Sequence, residues 1–165
     1  MKITLQQCIF LISNLTKKQS QLFSAFNSQY FVPLTVNGKD MVDKSKSKEM
    51  IESLKEIEIL NQDLVTLKNA LCVANNKNKI GKQTLFAALE DVRLKRNLLS
   101  NMEYALSREY NRVETGVGVV RYGIMNEEIL KEKRNILEKE VNNLSSKIDS
   151  MNASVEIEVK LLGEY

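Results

Sequence analysis

Apolar residues recur every seven positions in the middle of the chain, and this repeat constrains the fold more than any other feature of the sequence. The two series of the repeat are Met50, Ile57, Leu64 and Leu71, and Leu60, Leu67 and Ala74. Two apolar positions per heptad, sustained over about four heptads, indicate a helix that packs along its length on another helix. A helix over about 47–74 would be about 40 Å long, so a second helix of this chain or another subunit must cover it.

Three further segments have apolar residues at helical spacing. They run over about 3–28, 85–112 and 126–151, and Thr84 offers an N-cap for the second of them. The last segment carries another heptad seam, formed by Leu137, Val141, Leu144 and Ile148. One proline and six glycines in 165 residues favour long, uninterrupted elements. We therefore predict a mostly α fold of about four helices in an elongated antiparallel bundle or coiled coil.

The segments between the helices differ in composition. A connector at 29–46 contains Pro33 and the turn signal Asn37-Gly38, and a polar loop follows at 75–83. Val, Tyr and Gly dominate 113–124, which predicts a small β-hairpin or strand before the last helix. The tail at 153–165 begins with apolar and acidic residues in alternation and is expected to form an extended arm or edge strand. All of these segments are assigned to a single domain, 1–165.

The charge balance gives no strong field for a polyanionic partner. Lysine and arginine total 24 against 21 acidic residues, a net charge of +3. Basic residues alternate with acids, which argues against nucleic-acid binding. No apolar run reaches the 18 residues of a membrane span, so we expect a cytoplasmic protein. Cys8 and Cys72 each lie among apolar residues and are expected to be buried, reduced thiols.

The sequence offers no catalytic constellation. It contains no histidine and no CxxC pair, so neither a metal site nor a histidine-activated nucleophile is indicated. Gly116-Val117-Gly118 would need a third glycine at position 121 for a dinucleotide fingerprint, and Arg121 stands there. The two glycines are better explained as turn residues of a hairpin. We predict no catalytic residue, no cofactor and no metal.

One loop could bind an anion. Lys77, Lys79 and Lys82 come just before Thr84 and the predicted start of the third helix. Backbone N–H groups at a helix N-terminus attract anions, and nearby lysines would add to that attraction. The alternative is an ordinary solvated loop. If the site exists, the protein would bind, or act on, a phosphorylated small molecule.

The layout of most of the chain resembles the septicolysin-like family of bacterial proteins. The matching residues are Leu71-Cys72-Val73-Ala74-Asn75, Gly81, Thr84-Leu85 and Ala88-Leu89, with Leu144, Ile148 and Asn152 later in the chain. The family's Arg-Asp after the Ala-Leu pair is replaced by Val92-Arg93, and its late Trp by Ala153. The resemblance implies an elongated helical fold and homo-oligomerisation, and the family name implies a cytolysin.

These observations lead to two main functional hypotheses. The first is a non-enzymatic, homo-oligomeric structural or interaction protein whose partner is another copy of the chain. The second is a membrane-active, cytolysin-like protein, in which the first helix, with its broad apolar face and Lys17 and Lys18, would insert.

Overall fold

The computed structural model describes residues 1–31, 34–41, 43–108, 111–114, 116 and 118–165. The fold is mostly α, with four helices and short antiparallel strand pairs, and the predicted fold class is confirmed. The helices are α1 (Leu5–Gln29), α2 (Lys44–Lys77), α3 (Leu85–Leu106) and α4 (Glu127–Ser154). The strands are β1 (Lys2–Thr4), β2 (Thr35–Val36), β3 (Lys39–Asp40), β4 (Lys79–Ile80), β5 (Gln83–Thr84), β6 (Asn111–Glu114), β7 (Val119–Tyr122) and β8 (Glu156–Glu158).

The described residues group into two compact units. Unit 1 comprises Met1–Ala74 and Asn152–Tyr165, and unit 2 comprises Asn75–Met151. Unit 1 therefore contains α1, most of α2, and the two ends of the chain. Unit 2 contains α3, most of α4, and two hairpins.

Unit 1 begins with a strand that we did not predict from the sequence. We predicted a helix from Ile3, but residues 2–4 pair with β8, and Ile3 lies opposite Ile157. The helix then begins at Leu5 because Thr4 and Gln7 form a capping box, in which each side chain bonds the other residue's backbone N–H. The tail strand β8 fulfils the expectation of an extended segment after the last helix.

The core of unit 1 lies where α1 and α2 meet beneath the β1–β8 pair. Its buried residues are Ile3, Cys8, Leu15, Leu60, Leu64, Leu67 and Val159. Leu11, Ile12, Ala70, Leu71, Ile157 and Leu161 pack against them and are partly buried. The apolar stripe of α2 is thus covered inside one chain by α1 and by the tail.

A polar pair interrupts this apolar contact. Gln19 falls in the apolar series of α1, and its Nε2 donates to Oδ1 of Asn61 on α2 at 2.5 Å. Both side-chain amides are only partly exposed, and this bond replaces hydrogen bonds to water that they lose when the helices pack. A single matched polar pair of this kind also fixes the register of two helices.

The connector between α1 and α2 contains a tight hairpin. Asn37 and Gly38 have φ of 51° and 76°, the left-handed geometry that the Asn-Gly signal predicts for a turn between β2 and β3. We expected the next helix to start at Ser47, but α2 begins at Lys44. Asp43 stabilises that start, since its carboxylate accepts from the N–H and the hydroxyl of Ser45. Pro33 lies outside the described residues.

Unit 2 opens with a second hairpin in what we predicted to be a loop. α2 continues to Lys77, and β4 and β5 then pair around Gly81, whose φ is 64°. Thr84 caps α3 as predicted, with its hydroxyl accepting from the N–H of Ala87 at 3.1 Å. The polar composition was recognised correctly, but the strand pairing was not, because two-residue strands leave almost no periodicity.

The third helix is shorter than predicted. α3 ends at Leu106 rather than near residue 112, since 111–114 form the first strand of the hairpin β6–β7. This hairpin before α4 is the predicted β element, and it begins earlier than expected. Gly116 and Gly118 have φ of 88° and 66° and lie in its turn, as proposed for the GxG sequence. Residues 115 and 117 of this element lie outside the described residues.

Among the helices that the structure describes, none combines the length and the apolar character needed to cross a bilayer.

Candidate functional site

The predicted anion-binding residues surround the β4–β5 hairpin, but their groups are already used or point outward. Lys77, Lys79 and Lys82 are all exposed. The hydroxyl of Thr84 accepts from Ala87, and the N–H of Leu85 donates to the carbonyl of Asn78 at 2.8 Å. Two N–H groups at the start of α3 are therefore already bonded within the protein. The structure brings the four candidate residues to one hairpin, and none of the three lysines lines the cleft that opens beside it.

A buried acceptor in this region also disfavours an anion. Oδ1 of Asn75, in the last turn of α2, is buried and has no hydrogen-bond partner among the described residues. Such an oxygen would be satisfied by an N–H or O–H donor or by water, whereas a phosphate oxygen would repel it.

A cleft of about 440 Å³ does open beside this hairpin, between α3 and α4. Its lining residues are Ile80, Gly81, Gln83, Asp91, Lys95, Glu140, Asn143, Leu144 and Lys147. At its centre, Nζ of Lys95 lies 3.2 Å from Oδ2 of Asp91 and 3.2 Å from Oε2 of Glu140. Hydrogen bonds to Glu140 and then to Asp91 raise the pKa of Lys95, so this lysine stays charged at neutral pH.

The charges of this cleft neutralise one another. Lys95 forms ion pairs with both carboxylates. Within the described ranges, no group of three or more cysteine or acidic side chains is arranged to hold a metal ion. The arrangement suits a tie between two helices better than proton transfer, and the bond from Arg96 to Oγ of Ser145, at 2.8 Å, adds a second tie.

A different carboxylate in unit 1 is almost completely buried. Asp63 is 1% exposed and accepts three hydrogen bonds from the tail. Its oxygens lie 2.8 Å from the N of Leu162, 2.9 Å from the N of Gly163 and 2.9 Å from Oη of Tyr165. Burial, together with the bond to Asp63, raises the pKa of Tyr165 to about 12. Nothing in the sequence around Asp63 indicated this role, because aspartate is common on solvated helix faces.

The two cysteines differ in burial, contrary to our prediction that both are buried. Cys8 lies in the core of unit 1, where its thiol faces the carbonyl of Leu67 at 3.7 Å and burial raises its pKa. Cys72 is exposed. It follows Leu71 directly, and neighbouring residues on a helix point about 100° apart, so an apolar sequence neighbour does not make it part of the packed face.

The predicted packing seams are covered to different extents. On α2, Ile57 and Leu64 are buried, Leu71 is partly buried against the core, and Met50 is half-buried. On α4, the covered residues alternate with less covered ones: Val141 and Ile148 are buried, whereas Leu137 and Leu144 are half-buried.

Unit 2 also leaves large apolar side chains in solvent. Leu98 on α3 is 49% exposed, and Ile129 and Ile136 on α4 are 49% and 53% exposed. Leu98 lies three residues after Lys95, and Ile136 four residues before Glu140, so both flank the Lys95–Glu140 bridge on one side of the helix pair. Met102, four residues after Leu98, extends the same stripe and is half-buried. We call these four residues the unit 2 face.

The residues that carry the family resemblance have structural roles in this region. Gly81 supplies the left-handed turn of the β4–β5 hairpin, and Thr84 caps α3. Leu85 and Ala88 are both completely buried. The motif thus encodes a hairpin, a helix start and a tight helix contact rather than a set of reactive groups.

Comparison with known proteins identifies a fold but no activity. No protein-family description matches the chain, and no curated protein matches it. Among solved structures, the chain is similar to the crystal structure of a functionally unknown conserved protein from Corynebacterium diphtheriae. The TM-score is 0.72 and the sequence identity 19%, over 96% of this chain and 100% of that chain.

Proposed function

We propose that the protein is a non-enzymatic helical interaction protein that assembles with copies of itself through the unit 2 face. The observation that carries this proposal is the exposure of Leu98, Ile129 and Ile136, each about half in solvent, along one side of the α3–α4 pair. Contiguous apolar side chains on a folded surface mark sites of association. We place this activity in the cytoplasm, the location that the sequence predicts.

The charges around the unit 2 face support a second copy as the partner. Asp91 and Glu140 offset Lys95 within one subunit, so two identical faces can approach without a strong like-charge barrier. A two-fold contact between identical surfaces is the commonest arrangement in soluble oligomers. Lys133, between Ile129 and Ile136 on the α4 stripe, would lie at the rim of such a contact.

The proposal extends to the family. The septicolysin-like resemblance implies homo-oligomerisation, and the unit 2 face supplies a surface that could carry it. The motif residues Gly81, Thr84 and Ala88 shape the start of α3 and thereby hold that helix in place. A relation to that family is therefore part of the proposal.

Solution mass tests the proposal directly. By light scattering, the wild-type protein should exceed the 18.9 kDa of one chain at micromolar concentration. The double substitution Leu98→Asp, Ile136→Asp should bring the mass down to one chain, because it places charges in the contact, while the circular dichroism spectrum stays helical.

The matched control is Val65→Asp on α2, a side chain that is 67% exposed and far from the unit 2 face in sequence. This variant should keep the wild-type mass. A wild-type mass of one chain at all concentrations would remove the proposal, and so would a Leu98→Asp, Ile136→Asp variant that assembles like the wild type.

A further inference from the structure

One segment of unit 1, residues 155–165, lies across the α1–α2 core, and we call it the strap. Val155 is the one residue between the end of α4 and the start of β8. The carbonyl of Val155 accepts from the N–H of Leu5 at 3.0 Å, and β8 then pairs with β1. Just after β8, the N–H of Val159 donates to the carbonyl of Met1 at 3.0 Å. Val155 is therefore the point at which the strap would turn if it left the core.

The middle of the strap supplies apolar cover to the core. Ile157, Val159 and Leu161 stand at every second position, the spacing that puts side chains on one face of an extended chain. Val159 is 4% exposed and belongs to the same buried cluster as Leu60 and Leu67 of α2. Ile157 and Leu161 pack against that cluster. The strap therefore closes a groove whose other walls are α1 and α2.

The far end of the strap is held by hydrogen bonds rather than by burial. Leu162 and Tyr165 are 62% and 47% exposed, so this end contributes little apolar area to the core. Asp63 holds it, because its carboxylate accepts from the N–H groups of Leu162 and Gly163 and from the hydroxyl of Tyr165. Gly163 lets the Tyr165 ring fold back over it, since a Cβ at position 163 would lie 2.5 Å from the hydroxyl oxygen. We call Asp63 and its three donors the latch.

The burial of Asp63 makes a partial release of the latch unfavourable. The residue is 1% exposed, and a buried carboxylate that loses one of its donors is not compensated by water. Complete departure of the strap lets water reach the carboxylate and replace all three donors, because the donors belong to the segment that folds over it. States with one or two donors missing are therefore penalised relative to both the closed and the fully open state.

We propose that the strap is a conformational switch: residues 155–165 leave the α1–α2 groove as one unit, turning about Val155, when the latch releases. The closed state is the one that the structure shows. Segments that open as a unit at less cost than global unfolding are a general feature of folded proteins, and elements that move in function are drawn from them. The latch and the apolar part of the strap lie on one continuous stretch of chain, so the departure of one part pulls on the other.

Opening of the strap exposes a defined surface. Departure of Val159 uncovers Leu60 and Leu67, and loss of the β1–β8 pairing frees the edge of β1. Apolar core residues and strand edges are groups that a folded protein normally keeps covered, so the strap controls whether this surface is available. The switch uses none of the unit 2 face residues and goes beyond the self-association proposed above.

Native-state hydrogen exchange of the full-length protein tests the proposal. The reporters are the N–H groups of Leu5 and Val159 near the turning point, and those of Leu162 and Gly163 at the latch. If the strap opens as one unit, all four N–H groups should share one protection factor. That factor should be lower than the protection factor of Leu67 in the core, because opening a segment costs less than unfolding the molecule.

Asp63→Asn weakens the latch. The amide keeps the shape of the carboxylate but places an N–H group against one of the three donors, so the closed state loses stability and the open state does not. All four reporters should then exchange faster by the same factor, about thirtyfold or more, because a buried donor is left unsatisfied. Asp149→Asn, at an exposed position on α4, is the matched control and should leave the four exchange rates unchanged.

A disulfide between β1 and β8 tests whether the two ends of the strap move together. Lys2 and Glu158 lie directly opposite each other in that strand pair, and opposite Cα atoms are about 4.5–5.5 Å apart, a separation that a disulfide spans. In the variant Lys2→Cys, Glu158→Cys, Cys72→Ser, oxidation should slow exchange at Leu162 and Gly163 by about tenfold or more. The reduced form of the same variant is the matched control.

Unequal protection of the four reporters, or protection as high as that of Leu67, would overturn the proposal. So would exchange at Leu162 and Gly163 that oxidation leaves unchanged, because the far end of the strap would then fray by itself. The strap lies wholly in unit 1, so the same results are expected in the Leu98→Asp, Ile136→Asp variant. Failure of the self-association proposal is thereby distinguishable from failure of this one.

Discussion

The two units cover the apolar faces of their helices to different extents. In unit 1, Leu60 and Leu67 of α2 are 1% and 0% exposed, because α1 lies on one side and the tail supplies Val159 and Leu161. Among the described residues, unit 2 has fewer buried ones, and Leu98 and Ile136 remain about half in solvent. Two helices joined by a hairpin cannot enclose each other, whereas a third segment closes the core. The α3–α4 pair therefore has fewer segments to cover its helix faces than the α1–α2 pair.

The units also differ in where they place their charges. Unit 1 buries a single carboxylate, Asp63, and satisfies it with three donors from the tail. Unit 2 keeps its ion pairs at the surface, as in the Lys95–Glu140 bridge. Solvent-exposed pairs contribute little to stability, whereas a buried, fully bonded carboxylate penalises every arrangement that removes its donors. Unit 1 is therefore the more strictly specified of the two.

The largest expected effect compares one buried leucine from each unit. Leu67→Ala should lower the free energy of unfolding by about 3–4 kcal/mol, since it removes a fully buried side chain and leaves a cavity. Leu144→Ala should cost less than half as much, because that side chain is only half-buried. Urea denaturation followed by circular dichroism measures both.

These two variants are best made in the Leu98→Asp, Ile136→Asp background, where self-association cannot add cover to unit 2. Equal losses of unfolding free energy in the two alanine variants would mean that α3 and α4 are as well packed as α1 and α2. The proposed difference between the two units would then be wrong.

The second-largest expected effect concerns the buried carboxylate of unit 1. Asp63→Asn keeps the shape of the side chain but turns one acceptor into a donor, which then faces an N–H or the Tyr165 hydroxyl. We expect a loss of about 2–3 kcal/mol, the cost of leaving such buried groups unsatisfied. Asp149→Asn, an exposed position on α4, should change stability by less than about 0.5 kcal/mol. Similar values for the two variants would show that the tail is not anchored at Asp63.

Much of the helical structure could be predicted from the sequence, because its signals are periodic and local. The heptads of α2 identified Ile57 and Leu64 as buried, and Thr84 was recognised as a cap from its position before an apolar repeat. The Asn37-Gly38 turn was recognised because few residues adopt its left-handed geometry.

The missed features depend on contacts between distant parts of the chain. β1 is a strand only because β8 lies beside it, more than 150 residues later. Asp63 is buried only because Leu162–Tyr165 folds over it. No local pattern announces either feature. The unit 2 face was missed for another reason. Ile136 lies one residue before the seam position Leu137, and Ile129 lies seven residues before Ile136, so both are on a neighbouring stripe of α4 outside the heptad seam that we assigned.

The smallest effect uses pH to examine the tail anchor alone. The pKa of Tyr165 is about 12 in the folded protein, against an ordinary value of about 10. The unfolded chain therefore loses this proton first as pH rises. Stability that depends on the neutral phenol is complete below about pH 10 and is lost as the pH approaches 12. Ionised Tyr165 would lie against the carboxylate of Asp63, which gives the trend its physical cause.

Tyr165→Phe removes that ionisation together with one hydrogen bond. The variant should be less stable than the wild type by about 1 kcal/mol at neutral pH, and the difference should shrink between pH 10 and 12 as the wild-type phenol ionises. Every other ionisable side chain is the same in both proteins, so only the difference between the two unfolding curves is informative. A difference that stays constant up to pH 12 would mean that Tyr165 is not held against Asp63, and unit 1 would then lose one of the three donors that distinguish its core from the open pair of unit 2.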